Sequence, residues 1–258
     1  MLLAFDDVGP GPVVVLLHGF SLDRSMWSQQ KSSIGAIYRL ILPDLRGHGS
    51  TAAPEGIYNV DAMADDVLEL LDGLQIHEPV VLGGLSMGGY IALSIAARHP
   101  ERLKALMLIN TKASADTPEA ATVREQLARQ VEAEGDVHSV VATMLPKLFA
   151  RGTFEHHPEV VTRLQNQMAR TPARAVAGTL RGLAIRPDRT DDLKKIQVPT
   201  LILAGSEDAL IPLDESDLMA RQLTGARRVV IPESGHLSPL ENPRATDAAI
   251  LEFLESLW

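Results

Sequence analysis

Apolar residues follow two alternating rhythms along the chain. Short, nearly unbroken runs predict β-strands: "VVVLLH" (13–18), "RLILPD" (39–44), "PVVLGG" (79–84), "LKALMLIN" (103–110), "VPTLILAG" (198–205) and "RRVVIPES" (227–234). Four to six consecutive apolar residues suit strands covered on both faces, as in a parallel sheet. Between these runs the spacing widens to a period near 3.6. Val60, Met63, Val67, Leu70, Leu71 and Leu74 lay an apolar stripe along a helix over 60–74. A second helix is predicted over 87–100, opening after a glycine cluster and stopping at Pro100. A third covers 244–258, with Ala248, Leu251, Leu254, Leu257 and Trp258 near one face. Strands alternating with helices predict a doubly wound α/β sheet. The segment before Val13 has room for one or two edge strands.

The alternation breaks once. Residues 111–190 carry no strand pattern and read as helices over 118–135, 137–150, 158–170 and 172–185, with breaks at Gly135, Gly152, Pro158, Pro172 and Pro187. The predicted organisation is a core made of 1–110 and 191–258, with 111–190 inserted as a helical cap.

Composition acts mainly by exclusion. A chain of 258 residues, 45% hydrophobic and 22% charged, suits one α/β domain with an insertion. Its 24 basic and 33 acidic residues give a net charge of −9, with no basic run. That balance argues against nucleic acid and against an anionic membrane surface. No cysteine is present, which removes disulfides, thiol nucleophiles and Cys-based metal sites. The opening "MLLAFDDVGPGP" lacks the features of a secretory signal, and no apolar run approaches the ~18 residues of a membrane span. A soluble, cytoplasmic protein is the expectation.

The chemistry centres on "VVLGGLSMGGYIAL" (80–93), where Gly84-Leu85-Ser86-Met87-Gly88 matches G-x-S-x-G between a strand and a helix. Such a turn holds the serine in a strained conformation at a helix N-terminus, where free N–H groups favour developing negative charge. A serine hydroxyl needs a base. Of eight histidines, His236 in "ESGHLSPLENP" follows the last strand and precedes the last helix, on the sheet edge that bears the serine. Asp208 in "LAGSEDALIP" follows the preceding strand and is the candidate carboxylate that fixes the histidine's tautomer. Glu207 and Asp214 are nearby rivals, whereas Asn110 and Thr111 fill another strand end where an acid could have stood. The order Ser86, Asp208, His236 fits this motif. For the oxyanion, the candidates are the backbone N–H groups of Met87 and of Phe20 in "HGF" (18–20). His18 reads as a loop-bonding residue, Asp44 and Arg46 in "DLRGHGS" as backbone organisers, and His48 has no legible partner. His156 and His157 read as a solvated pair, with no ligands at metal-binding spacing.

Taken together, "LLHGF", "PDLRGHGS", "GLSMGG", "GSEDALIP" and "SGHLSPLENP" resemble the α/β-hydrolases of small bacterial esterase and lactonase type, along the whole chain. "SMGG" with "ARHPERLKALMLINTKASADTPEA" is most similar to the branch holding 3-oxoadipate enol-lactonases and related carboxylesterases. The resemblance implies a mostly parallel, eight-stranded sheet flanked by helices, a helical cap after the sixth strand, and no metal or organic cofactor. It implies a small-molecule ester or lactone as substrate, cleaved through an acyl-enzyme. Serine at 86 argues against the dehalogenases and epoxide hydrolases of this fold, whose nucleophile is aspartate. The apolar bias of 111–190 points to small, mainly apolar acyl groups over charged or very long ones, with Met144, Leu148 and Phe149 as candidate pocket residues. A cofactor-free perhydrolase and a ligand-sensing protein on the same fold are the alternative readings. Oligomeric state is not set by the sequence.

Overall fold

The predicted apolar runs pair into one sheet in a computed structural model that describes residues 1–258. Its strands are β1 (Phe5–Val8), β2 (Val13–Leu17), β3 (Arg39–Pro43), β4 (Val80–Leu85), β5 (Leu103–Ile109), β6 (Thr200–Gly205) and β7 (Arg227–Ile231). Their order is β1-β3-β2-β4-β5-β6-β7. All neighbours are parallel except β1, which runs antiparallel to β3 with Phe5 opposite Pro43 and Val8 opposite Leu40. Side chains alternate between the two faces with period two. Val14, Leu16, Leu40 and Leu42 enter one apolar cluster, and Val15, Leu17 and Ile41 enter the other. Both faces are buried, so the strands read as unbroken apolar runs.

The sheet has seven strands, not eight, and the helical insertion follows the fifth. The N-terminal segment supplies one edge strand only. Gly9 and Gly11 take positive φ between β1 and β2, turning the chain where a further strand would have to run. Ahead of β1, Ala4 is tied instead to the loop after β3, through Asp44 N–H to its carbonyl and its own N–H to Thr51 Oγ1.

The helices are α1 (Ser28–Ser33), α2 (Val60–Gly73), α3 (Met87–Arg98), α4 (Pro118–Glu134), α5 (His138–Leu148), α6 (Arg151–His156), α7 (Pro158–Met168), α8 (Ala173–Ala184), α9 (Leu213–Gln222), α10 (Ser238–Glu241) and α11 (Pro243–Glu255). Helices α4–α8 lie between β5 and β6. The first of them has legible ends: Thr117 accepts from Ala120 N–H at the N-terminus, and Gly135 closes the C-terminus in the left-handed region. Arg181 on α8 bonds Glu125 and Glu132, fastening α4 along α8. Helix α6 has only six residues and contains Gly152, which reads as a break in the sequence. No helix is long and apolar enough to cross a membrane.

Candidate active site

Strand β4 ends at Leu85 and α3 begins at Met87, leaving Ser86 alone to make the reversal. Its φ of 53° and ψ of −111° lie where a non-glycine residue costs about 1–3 kcal/mol. The conformation is held from both sides. Ser86 N–H donates to Ile109 O at 2.9 Å, and Thr111 Oγ donates to Ser86 O at 2.8 Å. A Cβ on Gly84 would run into the backbone of Gly88, so the glycine spacing around the serine is a steric requirement of the turn. The Ser86 hydroxyl does not cap α3 and instead lines a cavity.

His236 lines the same cavity from the loop after β7. Its Nδ1 lies 2.8 Å from Asp208 Oδ2, and both side chains are almost wholly buried. With an ionised carboxylate as acceptor, Nδ1 carries the proton and Nε2 is left free to accept one. Asp208 is itself fully bonded. Oδ1 accepts the N–H groups of Leu210 and Ile211, each at 2.9 Å, and Oδ2 also accepts Asn110 Nδ2–H at 2.9 Å. Burial pushes the Asp208 carboxyl up, but the His236 ring, the Asn110 amide and the Ile211 N–H outweigh it and hold the group below the ordinary aspartate value. The rivals Glu207 and Asp214 are exposed. Ser86 Oγ and the His236 ring share the cavity without being hydrogen-bonded to each other, a common state before substrate draws such a pair together.

Asn110 cannot serve as an acid, yet it joins the site. It bonds Asp208, Gly235 O at 3.1 Å, and the Ser238 hydroxyl at 2.6 Å, which ties the end of β5 to both loops. Glu241 is a second residue that sequence reasoning passed over, and its contacts flank His236 directly. The motif "SGHLSPLENP" contained it, but nothing in the residue order says that a side chain five positions on folds back.

Phe20 and Met87 both line the cavity. The Met87 N–H is at the first position of α3, where no intrahelical acceptor exists, and the Phe20 N–H has no backbone partner. The loop that carries Phe20 rests on two buried histidines with ring centroids 5.2 Å apart. His18 Nδ1–H donates to Gly19 O at 2.8 Å and its Nε2 accepts Leu45 N–H at 2.9 Å. His48, without a partner in the sequence reading, accepts Ser21 N–H at 3.3 Å and donates to Arg46 O at 2.9 Å. Burial pulls His18 down to about 4; burial and then the neighbouring His18 pull His48 down to about 3. Both are neutral supports. Asp44 accepts Arg24 N–H at 2.8 Å and Ser50 N–H at 2.7 Å, the backbone role expected of it, whereas the Arg46 side chain pairs with the Asp66 carboxylate on α2 and bonds no backbone group.

The cavity measures about 330 Å³. Sixteen of its 24 lining residues are hydrophobic, which suits an apolar group. Met144 and Leu148 are among them, from α5. Phe149 is not: its ring turns into the core and meets Phe154 edge-on at 5.8 Å. The residue follows the end of α5 in extended backbone, so its side chain leaves the face that Met144 and Leu148 share. Lys112, Arg124 and Lys147 also line the cavity, against the single acid Asp116. Arg124 and the buried Arg186 both pair with that one aspartate. Lys112 lies 3.8 Å from Glu215, so Lys147 is the lining cation with no carboxylate partner, a feature not legible in the apolar pattern of 111–190.

A seven-stranded, mostly parallel sheet with a serine in a strained turn after β4 defines an α/β-hydrolase, and the chain belongs to the α/β-hydrolase fold family, whose model matches residues 12–243. Particular relatives are lactonases and esterases. The chain is 30% identical over 239 residues to 3-oxoadipate enol-lactonase 2 of Acinetobacter baylyi, covering 93% of this chain and 87% of that one. A thermophilic esterase from Thermogutta terrifontis, solved with malate bound, has a TM-score of 0.96 at 42% identity, covering 99% of this chain and 93% of that one. The enol-lactonase from Burkholderia xenovorans LB400 has a TM-score of 0.91 at 30% identity, covering 98% and 96%.

Proposed function

We propose that this protein is a carboxylic ester hydrolase that cleaves small esters or lactones through an acyl-enzyme on Ser86. The observation that carries the reading is the 2.8 Å contact of His236 Nδ1 with Asp208, on the wall of the cavity that Ser86 also lines. In this reading Ser86 Oγ attacks the carbonyl carbon while His236 Nε2 takes its proton. Asp208 keeps the proton of Nδ1 in place and stabilises the imidazolium. The N–H groups of Phe20 and Met87 bond the oxyanion. Collapse expels the alkoxide, which takes the proton from Nε2. For a lactone that alcohol stays attached to the acyl chain. Water then gives a proton to Nε2 and attacks the acyl-serine. The acid is released and Ser86 recovers its proton.

Helices α4–α8 act in this account as a cap whose residues shape the acyl pocket, Met144 and Leu148 among them. The esterase and enol-lactonase relatives support the reaction class. The lining supports a mainly apolar acyl group, and the unpaired Lys147 on it supports acyl groups that end in a carboxylate. The test is a screen of purified protein against p-nitrophenyl esters of graded length beside a panel of lactones and acid-bearing methyl esters. Absence of turnover on all three classes would end the proposal.

A further inference from the structure

Glu241 is a carboxylate with four donors and no cation. It ends α10, five residues after His236. Its Oε1 accepts Gly235 N–H at 2.9 Å and Leu237 N–H at 3.2 Å, the two immediate neighbours of His236. Its Oε2 accepts Ala150 N–H and Thr153 Oγ–H, each at 2.7 Å, at the start of α6. The N–H of His236 itself donates to Leu148 O at 3.0 Å. Three consecutive backbone donors of the histidine loop are therefore fixed, two by one carboxylate and one by the end of α5. The approach is close enough that a Cβ on Gly235 would meet Ala150 N and Phe149.

Withdrawing a carboxylate from water is costly, and four hydrogen bonds offset that cost without any countercharge. Burial pushes the Glu241 carboxyl up, and the bonds from Thr153, Ala150, Leu237 and Gly235 only partly pull it back. Packing alone would be served by an apolar side chain. What the carboxylate adds is geometry, because its two oxygens reach two separate pieces of chain at once.

We infer that Glu241 is the positioning residue of His236, and that it locks the 148–153 turn to the histidine loop so that the base and the pocket wall bearing Leu148 form one rigid unit. The inference rests on reading His236 as the base. Glu241 never touches substrate and acts only through the loop it holds.

Two substitutions separate its two attachments. In Glu241→Gln the amide oxygen can keep Gly235 and Leu237, and the amide nitrogen can donate to a rotated Thr153 hydroxyl. Only Ala150 N–H is then left facing another donor. In Glu241→Ala all four donors lose their partner. The assay is steady-state hydrolysis of the best ester found, with enzyme concentration set by titration with a serine-directed phosphonate. A displaced base costs kcat rather than binding. We expect kcat to fall about 100-fold in Glu241→Ala and about 10-fold in Glu241→Gln, with KM within about threefold in both. The low-field Nδ1–H proton resonance of His236 should broaden in Glu241→Ala and persist in Glu241→Gln. A merely structural role would lower the melting temperature and leave kcat per titrated site and the Nδ1–H signal unchanged, and that result overturns the inference. If Glu241→Ala does not fold, Glu241→Gln decides the matter alone. Ser86→Ala is measured alongside. Activity surviving there would overturn the underlying reading, whereas an inactive Ser86→Ala beside a wild-type-like Glu241→Gln overturns only this inference.

Discussion

Replacing Asp208 with asparagine changes one group and leaves the fold of the loop intact, so it isolates the carboxylate's part. The native side chain accepts four hydrogen bonds, from Leu210 N–H, Ile211 N–H, Asn110 Nδ2–H and His236 Nδ1–H. An amide has one acceptor oxygen. If that oxygen keeps the two backbone donors, the new NH2 faces Asn110 and His236. Asn110 cannot flip to receive it without setting its oxygen against Gly235 O, which it now bonds at 3.1 Å through Nδ2. The remaining relief is a change of tautomer: His236 accepts at Nδ1 and carries its proton on Nε2. The base then presents a donor where it should take the serine's proton. A wrong tautomer of this kind costs about 10⁴ in a well-studied serine protease, so a loss of about 10³–10⁴ in kcat is expected here, or about 4–5.5 kcal/mol of barrier. The assay is hydrolysis of p-nitrophenyl butyrate from pH 6 to 9, with KM expected within about threefold of wild type. Glu207→Gln and Asp214→Asn, at exposed positions, should behave as wild type. Asp208→Asn with kcat within about tenfold of wild type would refute the reasoning, and an inactive Asp214→Asn would move the acid there.

The buried histidines predict how stability responds to acid. Their folded pKa values, about 4 for His18 and about 3 for His48, lie below the ordinary 6.5, so the unfolded chain takes up protons first. Stability is fully present above pH 6.5 and is lost as pH falls toward 4, with a slope approaching about 2.7 kcal/mol per pH unit for two protons. Urea midpoints from pH 8 to 5 measure this, His48→Gln should roughly halve the slope, and a midpoint constant over that range contradicts it. Acyl specificity is checked by kcat/KM over C2 to C16 esters. Each methylene that fits should contribute about 0.8 kcal/mol, roughly fourfold, until the pocket fills. Met144→Ala and Leu148→Ala should shift the optimum, while Phe149→Leu should not, because that ring lies off the cavity. Lys147→Met should lower kcat/KM for an acid-bearing ester more than for its neutral counterpart; equal effects would remove the role given to Lys147.

The strands were legible because parallel strands covered on both faces leave continuous apolar runs, and six of the seven lie where those runs fall. The seventh, Phe5–Val8, is a half-covered edge with two aspartates, which period-two reasoning cannot separate from a loop. The placement of Ser86, Asp208 and His236 along one edge of the sheet was legible because each lies in the turn or loop that follows a parallel strand, and such loops share one edge. Contacts made by folding back were not legible. His48 supporting Ser21, Asn110 bonding Asp208, and Glu241 bridging two segments depend on three-dimensional proximity that no spacing encodes. Phe149 failed for a related reason. It follows the end of α5 in extended backbone, and the apolar bias that made it a pocket candidate does not say which way its ring turns.

The most direct test of the account is to identify the nucleophile. Purified protein is treated with a serine-directed phosphonate and read by intact mass and peptide mapping, beside Ser86→Ala. The account predicts one adduct per chain, on the peptide containing Ser86, with activity lost in proportion to labelling. It also predicts a folded Ser86→Ala that takes no label and retains less than about a hundredth of wild-type kcat. A stoichiometric adduct on another residue, or a Ser86→Ala protein that still turns over ester at a wild-type rate, would contradict it.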